Sequence, residues 1–298
     1  MISDFSPNLD DRDAAQEIAR LERWILRACV LEATARKPGN VHPEASFVDL
    51  TYDDFLASAR AIAPVLARTR EWGIGRAVLK AVEQTRSCTP GNSNLGIILL
   101  IAPLAAVPPQ QSLREGIGSV LAALTRDDAR FAYEAIRLAN PGGLGSAEKA
   151  DVASTPQITL LEAMQLATDR DTIAAEYADG FPLVLDFGLE RARKWNDFAA
   201  RWETHLIGLH LELMATRPDT LIARKAGRAT AEESARRARE VLDLGGPETE
   251  AGQQKLAEFD AWLRADGHRR NPGTTADLIA AILFAAQREG IIVADALP

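Results

Sequence analysis

Several things are scarce in these 298 residues, and each scarcity removes a class of protein. Only two cysteines occur, Cys29 and Cys88, both inside apolar helical patterns. They read as reduced core thiols, which excludes a disulfide framework and points to the cytoplasm. Aromatic residues make up 6% of the chain and β-branched alternation is missing, so strands are not expected. The longest apolar run, from Leu95 to Val107, is too short for a bilayer and carries Pro103, so it reads as a core helix. The opening "MISDFSPNLDDRDAAQE" is acidic and polar, unlike a signal peptide. A formal net charge of −8 argues against nucleic-acid or anionic-membrane binding. GxGxxG, Walker A, GxSxG and HExxH elements are all lacking, and the four histidines show no zinc spacing.

What is present is helix almost everywhere. Ile18, Leu21, Ile25, Ala28 and Leu31 recur at three- and four-residue spacing within 13–36. Similar patterns predict helices over 51–69, 73–87, 93–106, 111–124, 127–139, 157–177, 182–216, 229–243, 251–266 and 274–288. The expected fold is all-α, a single large multi-helix bundle formed by one domain over residues 1–298. With 47% hydrophobic residues there is ample material for its core. The stretch 141–156, rich in Gly, Ser and Pro, reads as a long functional loop.

One punctuation recurs. Pro-Gly occurs in "RKPGNV" (36–41), "TPGNSN" (89–94), "NPGGLG" (140–145) and "RNPGTT" (270–275), each at a helix boundary. Each taken alone is a turn or a helix stop. Taken together, with Asn or Thr following three of them, they suggest helix starts converging on an anion. Asn92 and Asn94 then either cap the apolar helix or line a pocket floored by it. Glu32 admits two readings, an i,i+4 surface pair with Arg36 or a carboxylate facing a pocket. Asp277 follows Thr274 by three residues, and a capping box would explain it equally. Arg224, Lys225 and Arg228 near Asp219, and His268, Arg269 and Arg270, form basic runs that fit either a solvated face or a polyphosphate. His205 and His210 read as packing or surface residues.

Four segments, "EATARKPGNV" (32–41), "TPGNSNLGIIL" (89–99), "HLELMATRPDTLIARKAG" (210–227) and "RNPGTTADLIAAILF" (270–284), resemble in kind and order the triphosphoribosyl-dephospho-CoA synthase family. The resemblance covers nearly the whole chain. It implies an all-α enzyme, a pentosyltransferase that uses ATP as substrate with Mg²⁺. Such an enzyme joins the ribose C1 of ATP to a hydroxyl of a coenzyme-like acceptor, dephospho-CoA in the family, and releases adenine. Glu32, Lys37, Asn92, Asp219, Arg224 and Asp277 fall on motif positions. By the resemblance, Glu32, Asn92 and Asp277 are catalytic, with Glu32 or Asp277 as base or electrostatic partner. Lys37, Asn40, Asn94, Gly96, Arg224, Lys225, Arg270 and Gly273 bind the nucleotide, and Asp219 takes Mg²⁺. The family pattern Asn-Thr-His-Lys-Gly is replaced here by Asn92-Ser93-Asn94-Leu95-Gly96, and Gly-Ala-His is missing after the first Pro-Gly. The chain is thus similar to a divergent branch associated with tetrahydromethanopterin-type cofactor genes, and its acceptor is expected to differ. Two other classes stay open, a non-catalytic nucleotide-binding regulator and a helical interaction protein.

Overall fold

The computed structural model describes residues 9–142 and 150–293, with side chains from residue 13 onward. Among these residues there is no strand, only two isolated bridges in the turn 42–50. The helices are α1 (Leu9–Thr34), α2 (Tyr52–Leu66), α3 (Thr69–Trp72), α4 (Ile74–Cys88), α5 (Leu95–Ala106), α6 (Leu113–Ala122), α7 (Arg126–Ala139) and α8 (Leu160–Gln165). There follow α9 (Thr172–Asp179), α10 (Leu189–Ala192), α11 (Phe198–Thr216), α12 (Thr220–Ala226), α13 (Arg228–Asp243), α14 (Glu250–Arg264) and α15 (Gly273–Arg288). No described helix is long and apolar enough to cross a membrane.

Local chemistry fixes the helix starts. Thr51, Ser112, Thr125 and Thr159 each form a capping box with the acidic residue three positions on, an arrangement that satisfies otherwise orphaned N–H groups. Two helices are apolar all round, α5 and α15, and a helix of that kind has to be buried. Accordingly α15 runs through the centre of the bundle, packed against α1, α5, α11 and α12. Two apolar cores result, and α11 serves both. Leu206, Leu209 and Leu213 join the larger core, while Ile207, Leu211 and Met214 join a smaller one with Val241 and Phe259.

Three expectations need correcting. The segment 157–177 is not one helix, because Asp171 accepts N–H bonds from Ile173 and Ala174 and so starts α9 anew. The segment 182–216 divides into a π-helical stretch (Leu183–Gly188), α10 and α11, and Arg201 leaves helical geometry inside α11. The buried Glu176 carboxylate anchors that π-helical stretch by accepting from Leu183 N and Val184 N, each at 3.0 Å. Finally, Cys29 is buried but Cys88, at the end of α4, is exposed and is no core thiol. Of the loop 141–156, residues 143–149 lie outside the described residues.

Candidate active site

A cavity of about 750 Å³ opens where several helix ends meet. All four Pro-Gly segments contribute to its wall, through Asn40, through Gly91 to Asn94, through Asn140 to Gly142, and through Asn271 to Thr274 apart from Pro272. Turns separated by more than two hundred positions in sequence therefore share one function, shaping this space. The volume lies in the range of small-molecule sites. One side is apolar, with Leu99, Ile136, Leu160, Met164 and Ile173. The other side carries the polar groups.

Asp277, from the first turns of α15, faces the cavity and takes no hydrogen bond from any described residue. It therefore does not form the expected capping box with Thr274; the N-terminus of α15 is held by Asp219 instead. Burial, and next the neighbouring Glu32, push the Asp277 carboxyl well above the ordinary aspartate range. Gly96 makes its position possible. A Cβ there would stand 2.0 Å from Asp277 Oδ2 and 2.8 Å from Ile173 Cδ1. At Gly273 a Cβ would stand 2.5 Å from Leu221 Cδ2, so that side-chain end would have to shift.

Glu32 lines the cavity from the C-terminal turn of α1 and is buried. Its partner is Lys37, whose Nζ lies 3.0 Å from Glu32 Oε1 and also donates to the Glu32 carbonyl. The surface pair with Arg36 does not form, because Arg36 is bound to Glu203. Lys37 is fully buried and is absent from the cavity wall. The structure makes it a counter-ion of Glu32, where a phosphate contact was expected.

Asn92 and Asn94 both line the cavity. Asn92 Oδ1 also accepts from Leu95 N at 3.1 Å, so it secures the start of α5 as well. Asn94 is 4% exposed, and its Oδ1 lies 3.1 Å from the Thr85 hydroxyl. Its Nδ2 is buried with no protein partner. Asn40 is held by Asn271 through an amide–amide bond of 2.8 Å, and its Oδ1 is likewise unpartnered. Buried amides without partners are costly, and here they border an open space.

The basic residues sort themselves by face. Arg224 and Lys225 reach the cavity from α12. Arg224 Nη1 is 3.0 Å from Asp171 Oδ2, a residue hidden from sequence reading inside what looked like a continuous helix. Burial lowers the Lys225 pKa. Arg270 turns away from the cavity, stacks over Trp262 and donates to its carbonyl. It lies off the cavity wall, away from the other expected nucleotide-binding residues, and His268, two residues earlier, stands at the wall. Asp219 is a connector. Oδ1 caps α12 through Leu221 N and Ile222 N, and Oδ2 accepts from Thr275 N and Oγ1, both at 2.8 Å. With both oxygens spent and no place on the wall, Asp219 does not offer the expected Mg²⁺ ligand. No cluster of three or more His, Cys, Asp or Glu suited to a metal occurs among the described residues.

Comparison with known proteins places the chain in a family. A family model described as CitG: ATP:dephospho-CoA triphosphoribosyl transferase matches residues 18–293. A Pseudomonas savastanoi pv. phaseolicola protein named "Probable 2-(5''-triphosphoribosyl)-3'-dephosphocoenzyme-A synthase" is 34% identical over 105 residues, 35% of each chain. A Pseudomonas fluorescens protein of the same name is 33% identical over 109 residues, 37% of each. The matched stretch thus spans little more than a third of these relatives. A crystal structure from Archaeoglobus fulgidus carrying the triphosphoribosyl-dephospho-CoA synthase name superposes with a TM-score of 0.62 at 27% identity, covering 80% of this chain and all of that one.

Proposed function

The chain belongs to the ATP:dephospho-CoA triphosphoribosyl transferase family, and from that premise we propose that it transfers the ribosyl triphosphate of ATP to a hydroxyl of a coenzyme-like acceptor, releasing adenine. The observation that carries the proposal is the meeting of all four Pro-Gly turns around one cavity with Glu32 and Asp277 in its wall. The C1′–N9 bond of ATP breaks and a C1′–O bond to the acceptor forms. The proton lost by the hydroxyl balances the one gained by adenine. As C1′ acquires oxocarbenium character, a carboxylate beside it offsets the charge. Glu32, held by Lys37, fills that role. Asp277 has no competing donor among the described residues and a raised pKa, which suits a base for the incoming hydroxyl. Asn92 and Asn94 offer uncharged hydrogen bonds to the purine or a phosphate oxygen. Arg224 and Lys225 face the triphosphate. Mg²⁺ enters here as the counter-ion of ATP, and no residue is assigned to it.

The test is incubation with MgATP and a panel of alcohols that includes dephospho-CoA, followed by chromatography for free adenine. Adenine equimolar with a triphosphoribosylated acceptor is expected. Asn94 and Leu95 stand in the cavity wall where the family carries His and Lys, so another alcohol is expected to outperform dephospho-CoA. ATP binding with no adenine from any acceptor would replace this reading with a non-catalytic nucleotide binder.

A further inference from the structure

His268 occupies the turn between α14 and α15 and lines the cavity beside Lys225. Three contacts fix it. His268 Nδ1 is 3.2 Å from Asp49 Oδ1, and its ring meets Phe47 edge-on at 5.8 Å. The next residue, Arg269, donates to the Lys225 carbonyl at 2.9 Å, which ties this turn to the end of α12. In the imidazolium form both ring nitrogens carry hydrogen, so with Nδ1–H toward the Asp49 carboxylate, Nε2–H is the donor left without a partner among the described residues. Fixing one imidazole nitrogen with a carboxylate aims the other, which is how histidines are oriented toward ligands.

Exposure orders the polar groups of the wall. The Glu32 side chain is 3% exposed, Arg224 26%, His268 35% and Asp49 66%. With the ribose end of a polyphosphate at Glu32 and Asp277, the more exposed Arg224 and His268 are wall groups left for its outer phosphates. We propose that His268, oriented by Asp49, is a substrate-binding residue that contacts the terminal phosphate and so selects a nucleoside triphosphate over a diphosphate. This rests on ATP being the donor. A diphosphate bound by the same ribose end stops one phosphate short of the imidazole and makes no such contact.

Calorimetric titration of the protein with MgATP and MgADP separates the two ideas. In His268→Ala, ATP affinity should fall roughly tenfold, the effect of losing a hydrogen bond to a charged group, while ADP affinity stays at the wild-type value. His268→Gln, which keeps an N–H close to the Nε2 position, should recover most of the loss. The turn is partly exposed, and an unchanged melting temperature of the free variants shows that folding is not the cause. Equal losses for ATP and ADP, no loss at all, or a His268→Gln variant no better than His268→Ala would each overturn the assignment. If the unaltered protein releases adenine from ATP but His268→Ala keeps its preference for triphosphate, only this inference fails. If it binds no ATP, the donor reading fails with it.

Discussion

Replacing Gly96 by alanine probes the whole site with one methyl group. The added Cβ would stand 2.0 Å from Asp277 Oδ2 and 2.8 Å from Ile173 Cδ1, whereas unstrained heavy-atom contacts sit at about 3.5–4.0 Å. Something must move by more than an ångström. Both backbones belong to buried helices, α5 and α15, so the Asp277 side chain has to swing away. Overpacking of this kind costs about 1–3 kcal/mol, and the better helix propensity of alanine returns less than about 1 kcal/mol. A net loss of about 1 kcal/mol in a chain of 298 residues lowers Tm by about 2 °C, given an unfolding entropy of about 2.1 cal/mol/K per residue. Activity should suffer far more. Displacing a reacting group by about 1 Å costs on the order of 100-fold in rate. The control is Gly118→Ala on the exposed face of α6, where a Cβ meets nothing within 4 Å and should be neutral or stabilising by up to about 1 kcal/mol. Melting curves and adenine release together decide. A Gly96→Ala protein with the unaltered Tm and rate would refute the placement of Asp277 against α5.

Three further outcomes follow from the same geometry. Asp277→Asn should lower adenine release at least 100-fold, on the order expected for a lost acid–base group. It should also change the pH dependence of stability. The folded Asp277 pKa is raised above 3.8, so its contribution is full below that value and is lost as pH rises through the raised one. Denaturant titrations should show that decline in the unaltered protein and a flatter profile in the variant. Glu176→Gln keeps one carbonyl acceptor for the two N–H groups of Leu183 and Val184, so about 1–3 kcal/mol of stability should go. Burial raises Glu176 from 4.5 to about 7, so its contribution is complete below pH 4.5 and gone above about 7; Glu176→Gln should remove that slope, and a slope left intact would contradict it. Asn92→Ala should lower stability by about 0.5–2 kcal/mol through loss of its bond to Leu95 N and weaken MgATP binding as well. An unshifted melting temperature would deny the capping half of that statement, and unshifted affinity the other half.

Much of the helical layout is legible in the sequence because spacing of apolar residues needs only local information. The convergence of the Pro-Gly turns is legible too, as a repeated pattern at helix boundaries. Direction is where sequence reading stops. His268, Arg269 and Arg270 are consecutive, yet one faces the cavity, one holds a backbone carbonyl of α12 and one lies on Trp262. In a turn, neighbouring side chains diverge, and only tertiary contacts say which reaches the ligand space. Asp171 is lost for a related reason. It lies between two short helices whose apolar patterns run together, and its function depends on Arg224, 53 positions away. Lys37 and Asp219 look like binding groups because charged residues beside glycine turns usually meet solvent or ligand. Here each instead supports another part of the site, one by pairing with Glu32 and one by joining α12 to α15.

These support roles explain how a chain of net charge −8 can be suited to a polyphosphate. Net charge governs long-range attraction, whereas a site is decided by what remains uncompensated within a few ångströms. Asp171 gives one oxygen to the start of α9 and the other to Arg224. Asp219 has both oxygens bonded to N–H and O–H donors, and Glu32 faces Lys37. Each of these acids is compensated locally and adds little repulsion toward a phosphate. Lys225 forms no ion pair within the described residues and remains available on the phosphate side. Asp277 is the opposite case, a carboxyl group with no hydrogen-bond donor among the described residues, whose charged form burial and the neighbouring Glu32 disfavour. What stays uncompensated on the cavity wall is thus cationic on the α12 side, the sign the proposed triphosphate needs, while Glu32 is paired with Lys37 and the charge of Asp277 is disfavoured.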